Sequence, residues 1–139
     1  MNIDLERIRA YFKDDRFATE NGVVIDSVTE DSVVCSMELE DRHRNSVGRA
    51  HGGAIFTLAD LAFAAHCNMA MVCGEDVNVT VAQSNSITYL KSTNGKRLIA
   101  RSACLSRGKT VSVYRICIED DLGVPIAEML SSAITLARR

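Results

Sequence analysis

The sequence predicts an α+β fold, with one long buried helix wrapped by an antiparallel sheet of about five to six strands. Three observations carry this. Residues 54–72 form a single apolar segment dominated by Ala, Leu, Met and Phe, and the first three are strong helix formers. Two strand-like stretches precede it and four follow it, each bounded by turn residues. The connections between the last four are too short for parallel crossovers, so those strands must mostly pair antiparallel. A buried helix and a large antiparallel sheet cover each other's apolar faces.

The elements follow in order. Residues 4–13 place Leu5, Ile8 and Phe12 at spacings of three and four, the pattern of a short amphipathic helix. Residues 22–29 and 32–40 alternate with period two. In the second run Val33, Cys35, Met37 and Leu39 share one face, and Val34, Ser36, Glu38 and Glu40 the other. Glu30-Asp31 suits the tight turn between them. A polar stretch at 41–49 reads as a loop. The helix of 54–72 is apolar nearly all round, as a buried helix is, and Gly74 stops it. Its nineteen residues approach a membrane span, but Asp60, His66 and Asn68 interrupt it, and a central Asp costs about 2.5–3.5 kcal/mol on insertion. A transmembrane role is rejected. Stretches 77–91, 96–106, 109–120 and 124–136 are strand-like, separated by Thr93-Asn94-Gly95, Arg107-Gly108 and Asp121-Leu122-Gly123.

Composition bounds the function. The 139 residues suit one domain, 1–139, whose first twenty residues form an N-terminal helical segment. A content of 47% hydrophobic residues supplies a core. The net charge of −2 argues against a dedicated nucleic-acid binder. Five cysteines (35, 67, 73, 104 and 117) form no CxxC pair and share no zinc-ligand spacing with His43, His51 and His66, so they read as reduced thiols of a cytoplasmic protein. The opening MNIDLERIRAYFKDD has no apolar h-region, and no signal peptide is expected.

Asp60 is the sharpest local feature, a carboxylate inside IFTLADLAFAA. Desolvation raises a carboxyl pKa, which suits a base or nucleophile in a dry pocket; the ordinary alternative is an exposed or structurally paired Asp. In His51-Gly52-Gly53, two glycines at a helix start leave backbone N–H groups uncovered at the positive end of the helix dipole, able to polarise a carbonyl, although such a pair also makes a plain loop-to-helix joint. At 1.5 Å per residue, Asp60 lies about 12 Å along the axis from Gly52. That is far for one carbonyl bonded at one and attacked from the other within a single chain: either the helix starts later, or a second copy supplies one of the two groups, which gives a reason to expect an oligomer. Asn45 can orient water or a carbonyl, or merely form an Asx turn. His51 is either a base or a holder of the turn. His66 and Asn68 are expected to be satisfied in the core or at an interface, and His43 to be exposed. Phe56, Phe63, Met69 and Met71 can line a pocket, but at helical spacing they more often fill a core.

Asn45 followed after five residues by HGGAIFTLADLAFAAHCN resembles the signature of the PaaI-like acyl-CoA thioesterases of the hotdog-fold superfamily. ITYLKST and SRGKTVSVYRICIEDDLGVPIAEML resemble the same family, and the similarity covers roughly residues 20–136. The resemblance implies the hotdog fold and hydrolysis of aryl- or medium-chain acyl-CoA to free acid and coenzyme A. By resemblance Asp60 is the nucleophile or general base, Gly52 the amide that polarises the thioester carbonyl, Asn45 the group that positions thioester or water, and His51 the histidine of the HGG motif. Gly53, Gln83, Ser84 and Arg107-Gly108-Lys109 go to substrate binding, the cations beside coenzyme A phosphates. The family's site forms across a dimer interface, and two dimers commonly make a tetramer. No metal or separate cofactor is implied, since coenzyme A is part of the substrate, and neither nucleic acid nor membrane is expected as a partner. One position departs. Relatives carry Ser or Thr near the carboxylate in the strand after the helix, where this chain has Ala82, with Thr80 and Ser84 as neighbours two residues away. The rival function is an acyl-CoA-binding sensor or regulatory module without turnover, since a fold does not fix a function. A hydratase is a weaker third, because nothing shows His51 and Asp60 cooperating.

Overall fold

The computed structural model describes residues 1–137, and the last two residues of the expected domain span lie outside them. Helix α1 (Leu5–Phe12) starts at Asp4, whose carboxylate accepts the Arg7 N–H at 3.2 Å, and buries Ile8 and Phe12. A second short helix, α2 (Arg16–Glu20), capped by Asp15, lies within the expected N-terminal helical segment. The hairpin of β1 (Val23–Val28) and β2 (Val33–Glu38) follows, with Val33, Cys35 and Met37 buried as the alternation requires. The polar stretch after it holds a 3₁₀ turn at Asp41–His43.

Helix α3 (Gly52–Cys67) begins two residues before the expected start and ends five before the expected stop. Asn68 breaks it. The Asn68 amide donates to Ala64 O at 3.1 Å and to Thr80 O at 2.8 Å, and its oxygen accepts the Thr80 N–H at 2.8 Å. The backbone turns there into a separate α4 (Met69–Val72). Ile55, Leu58, Ala59, Ala62, Ala65 and His66 are buried, while Thr57, Asp60, Ala64 and Cys67 form a half-covered strip whose Cys67 end reaches Thr80 O at 3.9 Å. Of the four candidate pocket residues, Phe63 and Met69 are core, whereas Phe56 and Met71 keep some exposure. No helix among the described residues is long and apolar enough to cross a membrane.

Strands β3 (Val79–Tyr89), β4 (Arg97–Arg107), β5 (Val111–Asp120) and β6 (Pro125–Leu136) complete a six-stranded antiparallel sheet in the order β1-β2-β4-β5-β6-β3. The chain crosses the sheet after β3, which pairs with β6 and not with β4. The two edges differ. The β1 edge is six residues long, bulged after Ile25, and covered where Arg9 donates to Ile25 O at 2.8 Å. The β3 edge is eleven residues long and mostly exposed.

One expectation is corrected. His43 is buried (2% exposed). Its Nδ1 accepts the Glu40 N–H at 3.0 Å and its Nε2 donates to Asn21 O at 2.6 Å, so both ring nitrogens find backbone partners inside the fold.

Candidate active site

The start of α3 is held from three directions. His51 is its N-cap, and its Nδ1 accepts the Gly53 N–H at 2.8 Å. The His51 N–H donates to His43 O at 2.7 Å, anchoring the joint to the buried His43 turn. Tyr89, from the end of β3, donates its hydroxyl to Gly52 O at 2.9 Å. A Cβ on Gly52 would lie 3.1 Å from that ring and hydroxyl, so close approach explains the glycine. The Gly53 N–H is thus occupied, whereas the Gly52 N–H makes no hydrogen bond among the described residues. It is a free donor at the positive end of a sixteen-residue helix.

Beside it opens a cleft of about 430 Å³ lined by Asn45, Arg49, Gly52, Ile55, Tyr89 and Lys91 among others. Asn45 Oδ1 accepts the N–H groups of Val47 (3.1 Å) and Arg49 (3.0 Å). This is the Asx turn that its sequence context allows, and it fixes the amide so that its NH₂ remains available. Sequence reasoning missed Tyr89, Arg49 and Lys91. Tyr89 lay within the quoted ITYLKST, but only the strand's path back to the helix start reveals its contact.

Asp60 sits halfway along α3 on the half-covered strip. No hydrogen bond or ion pair reaches its carboxylate among the described residues. Burial raises its pKa, and repulsion from Asp15 at the start of α2 raises it further. The carboxylate is therefore more basic than an ordinary Asp, and it is half-covered. The thiol of Cys67, at the end of the same strip, is pushed up to about 12 by burial and stays protonated at neutral pH.

The remaining candidates lie apart from Gly52 within one chain. Arg107, Gly108 and Lys109 form the β4–β5 turn near the C-terminal end of α3, lining a pocket with Cys67, Asp76 and Thr80. That end is about 24 Å along the helix from Gly52. Gln83 is the extra residue of a bulge between Ala82 and Ser84, and both it and Ser84 are exposed. Thr80 is buried, its hydroxyl 3.0 Å from that of Thr135 and its backbone held by Asn68. His66 is a satisfied core histidine: Nδ1 lies 2.7 Å from Ser102 Oγ, Nε2 3.1 Å from Glu30 O, and burial lowers its pKa. One chain therefore assembles Asn45, His51, Gly52 and Gly53 and leaves Asp60 elsewhere.

The sequence model of the thioesterase superfamily matches residues 47–127, from the loop before α3 into β6. The chain belongs to the thioesterase superfamily. Acyl-coenzyme A thioesterase 13 of mouse (Mus musculus) is 30% identical over 91 residues, 65% of this chain and 62% of that protein's length. Acyl-coenzyme A thioesterase PaaI of Escherichia coli is 30% identical over 112 residues, 80% of this chain and 76% of that one. The solved structure of E. coli PaaI, a protein of the phenylacetic acid degradation operon, superposes with a TM-score of 0.84 at 26% identity, covering 95% of this chain and 92% of that one. The resemblance to PaaI-like hotdog thioesterases is thereby established for the fold and the family. At about 30% identity, membership supports thioester hydrolysis.

Proposed function

We propose that the protein hydrolyses acyl-CoA thioesters, of aryl or medium-chain acids, to the free acid and coenzyme A. The observation that carries this is the unoccupied Gly52 N–H at the start of α3, opening on the cleft of Asn45 and Tyr89. The Gly52 N–H donates to the thioester carbonyl, and the helix dipole stabilises the oxyanion that develops there. The Asn45 NH₂, fixed by its turn, donates to the carbonyl or the attacking water. His51 keeps the joint in place by occupying the Gly53 N–H. Asp60 attacks the acyl carbon or takes a proton from water, and the carbon–sulfur bond breaks as the thiolate leaves. No metal or separate cofactor takes part.

The roughly 12 Å between Gly52 and Asp60 is resolved if Asp60 comes from a second copy. The long, uncovered β3 edge supports a dimer, because such an edge invites strand pairing whereas the β1 edge is blocked. Pairing of two β3 strands carries the half-covered Asp60 strip of each protomer toward its neighbour. Two such dimers then form a tetramer, with the Arg107–Lys109 turn beside coenzyme A phosphates.

The test is thiol release from an acyl-CoA panel running from aryl to long-chain, with Asp60→Asn as control and light scattering for the assembly. Release by the wild type and not by Asp60→Asn is the expected result. Binding of acyl-CoA with no release from any member would replace this function by that of a sensor.

A further inference from the structure

Two buried side-chain atoms of the sheet have no hydrogen-bond partner among the described residues: Asn85 Oδ1 and Ser131 Oγ. The two residues stand opposite each other on β3 and β6, and Ser131 is fully covered (0% exposed). A buried polar atom without a partner costs free energy, and native proteins hold few of them. Two as cross-strand neighbours mark one place.

That place is level with Asp60. Strand β3 is tied to α3 at both ends, where Tyr89 bonds Gly52 O and Asn68 bonds the backbone of Thr80. The strand therefore runs antiparallel to the helix. Asp60 is midway between Gly52 and Asn68, and the midpoint between Thr80 and Tyr89 falls at Ser84 and Asn85. The bulge at Gln83 decides which of these two faces the helix. Asn85 pairs with Ser131, in line with the buried Met129 and Ala133 on β6, whereas Ser84 pairs with Ser132 on the opposite face. Position 82, before the bulge on the same face, holds Ala opposite Ala133 and offers no polar side chain there.

We propose that the Asn85 amide, backed by Ser131, is the positioning residue of β3 for hydrolysis and orients the water that Asp60 activates. This inference rests on the thioester-hydrolysis function above. The water oxygen bonds to the acyl carbon while one of its protons passes to the Asp60 carboxylate. The carbon–sulfur bond then breaks, and the thiolate takes up that proton. Asn85 Oδ1 accepts the other water O–H and exchanges no proton.

The experiment compares kcat, KM and Tm for wild type, Asn85→Ala, Ser131→Ala, Ala82→Ser, the Ala82→Ser/Asn85→Ala double variant and Asp60→Asn. Asn85→Ala is expected to lower kcat about tenfold or more with KM within about twofold. Its Tm, and that of Ser131→Ala, should hold or rise, because each change removes an unpaired buried atom. A hydroxyl introduced at 82, on the same face, should recover part of the lost kcat in the double variant. Wild-type kcat in Asn85→Ala, beside an inactive Asp60→Asn, overturns the inference and leaves the hydrolysis assignment standing. Loss of turnover together with a lower Tm, and no recovery in the double variant, assigns Asn85 to the fold and also overturns it. Wild-type turnover by Asp60→Asn sinks the assignment beneath it instead.

Discussion

Asp60 in the midsection of α3 and Asp120 at the β5–β6 turn behave oppositely. Asp120, in the turn, is the more covered (2% exposed), yet its pKa is lowered. Thr93 donates its hydroxyl to Oδ2 at 2.6 Å, and the N–H groups of Leu122 and Val124 donate to Oδ1 at 2.9 Å each. Asp60 is less covered, yet its pKa is raised, because burial and then the Asp15 charge both push it up and no group among the described residues donates to it. Coverage alone therefore does not set the basicity of an aspartate; the donors aimed at it do. The turn uses its charge to hold two connections together. The helix leaves its charge unused by the fold and free for chemistry.

The contrast breaks first on turnover. Asp60→Asn is expected to lower kcat by at least about a hundredfold while the Tm at pH 7 rises, as measured by thiol release and calorimetry. Asp120→Ala should do the reverse. It orphans three donors, so a loss of about 2–4 kcal/mol in urea denaturation is expected, with kcat per folded molecule unchanged. Thr93→Val removes one of those donors and a bond to the Gly95 N–H, and should cost about 1–2 kcal/mol.

Stability against pH sharpens the contrast through its sign. Asp120 has a folded pKa below its unfolded value, so its contribution is present above about pH 4 and is lost as pH falls through the folded pKa. The deficit of Asp120→Asn should therefore shrink in acid. Asp60 has a folded pKa above its unfolded value, so its ionisation costs stability once pH rises through the folded pKa. Asp60→Asn should be the more stable protein at pH 7, with the difference gone below about pH 4. The smallest effect expected is that of Asp15→Asn. It keeps the α2 cap but removes the neighbouring charge, and should move the acid limb of the kcat profile to lower pH.

The sequence displays these features unequally. The long helix, the β1–β2 hairpin and the turns of the last four strands were legible, since each depends on neighbours in the chain. Asp60 stood out because a carboxylate in an Ala/Leu/Phe run is locally anomalous. What escaped depends on distant partners. The break at Asn68 requires Thr80 across a loop, and the burial of His43 requires the Asn21 carbonyl, twenty-two residues upstream. The bulge at Gln83 changes which later residues of β3 face the helix, so Ser84, two residues after Ala82, lies on the opposite face, whereas Thr80 shares the face of Ala82. Tyr89 belongs to the site only because β3 returns to the start of α3.

That return also governs how the chain folds. Strand β3 lies mid-chain, and its strand partner is β6, with paired residues 38 to 57 positions further on. During synthesis it must wait, unpaired and apolar in part, until the final strand has left the ribosome. Helix α3, whose first and last turns β3 secures, waits with it. Docking of β3 on β6 is therefore a late event governed by non-local contacts, which sets refolding in the slow, millisecond-to-second range. The elements that surround the candidate site are the last to find their places.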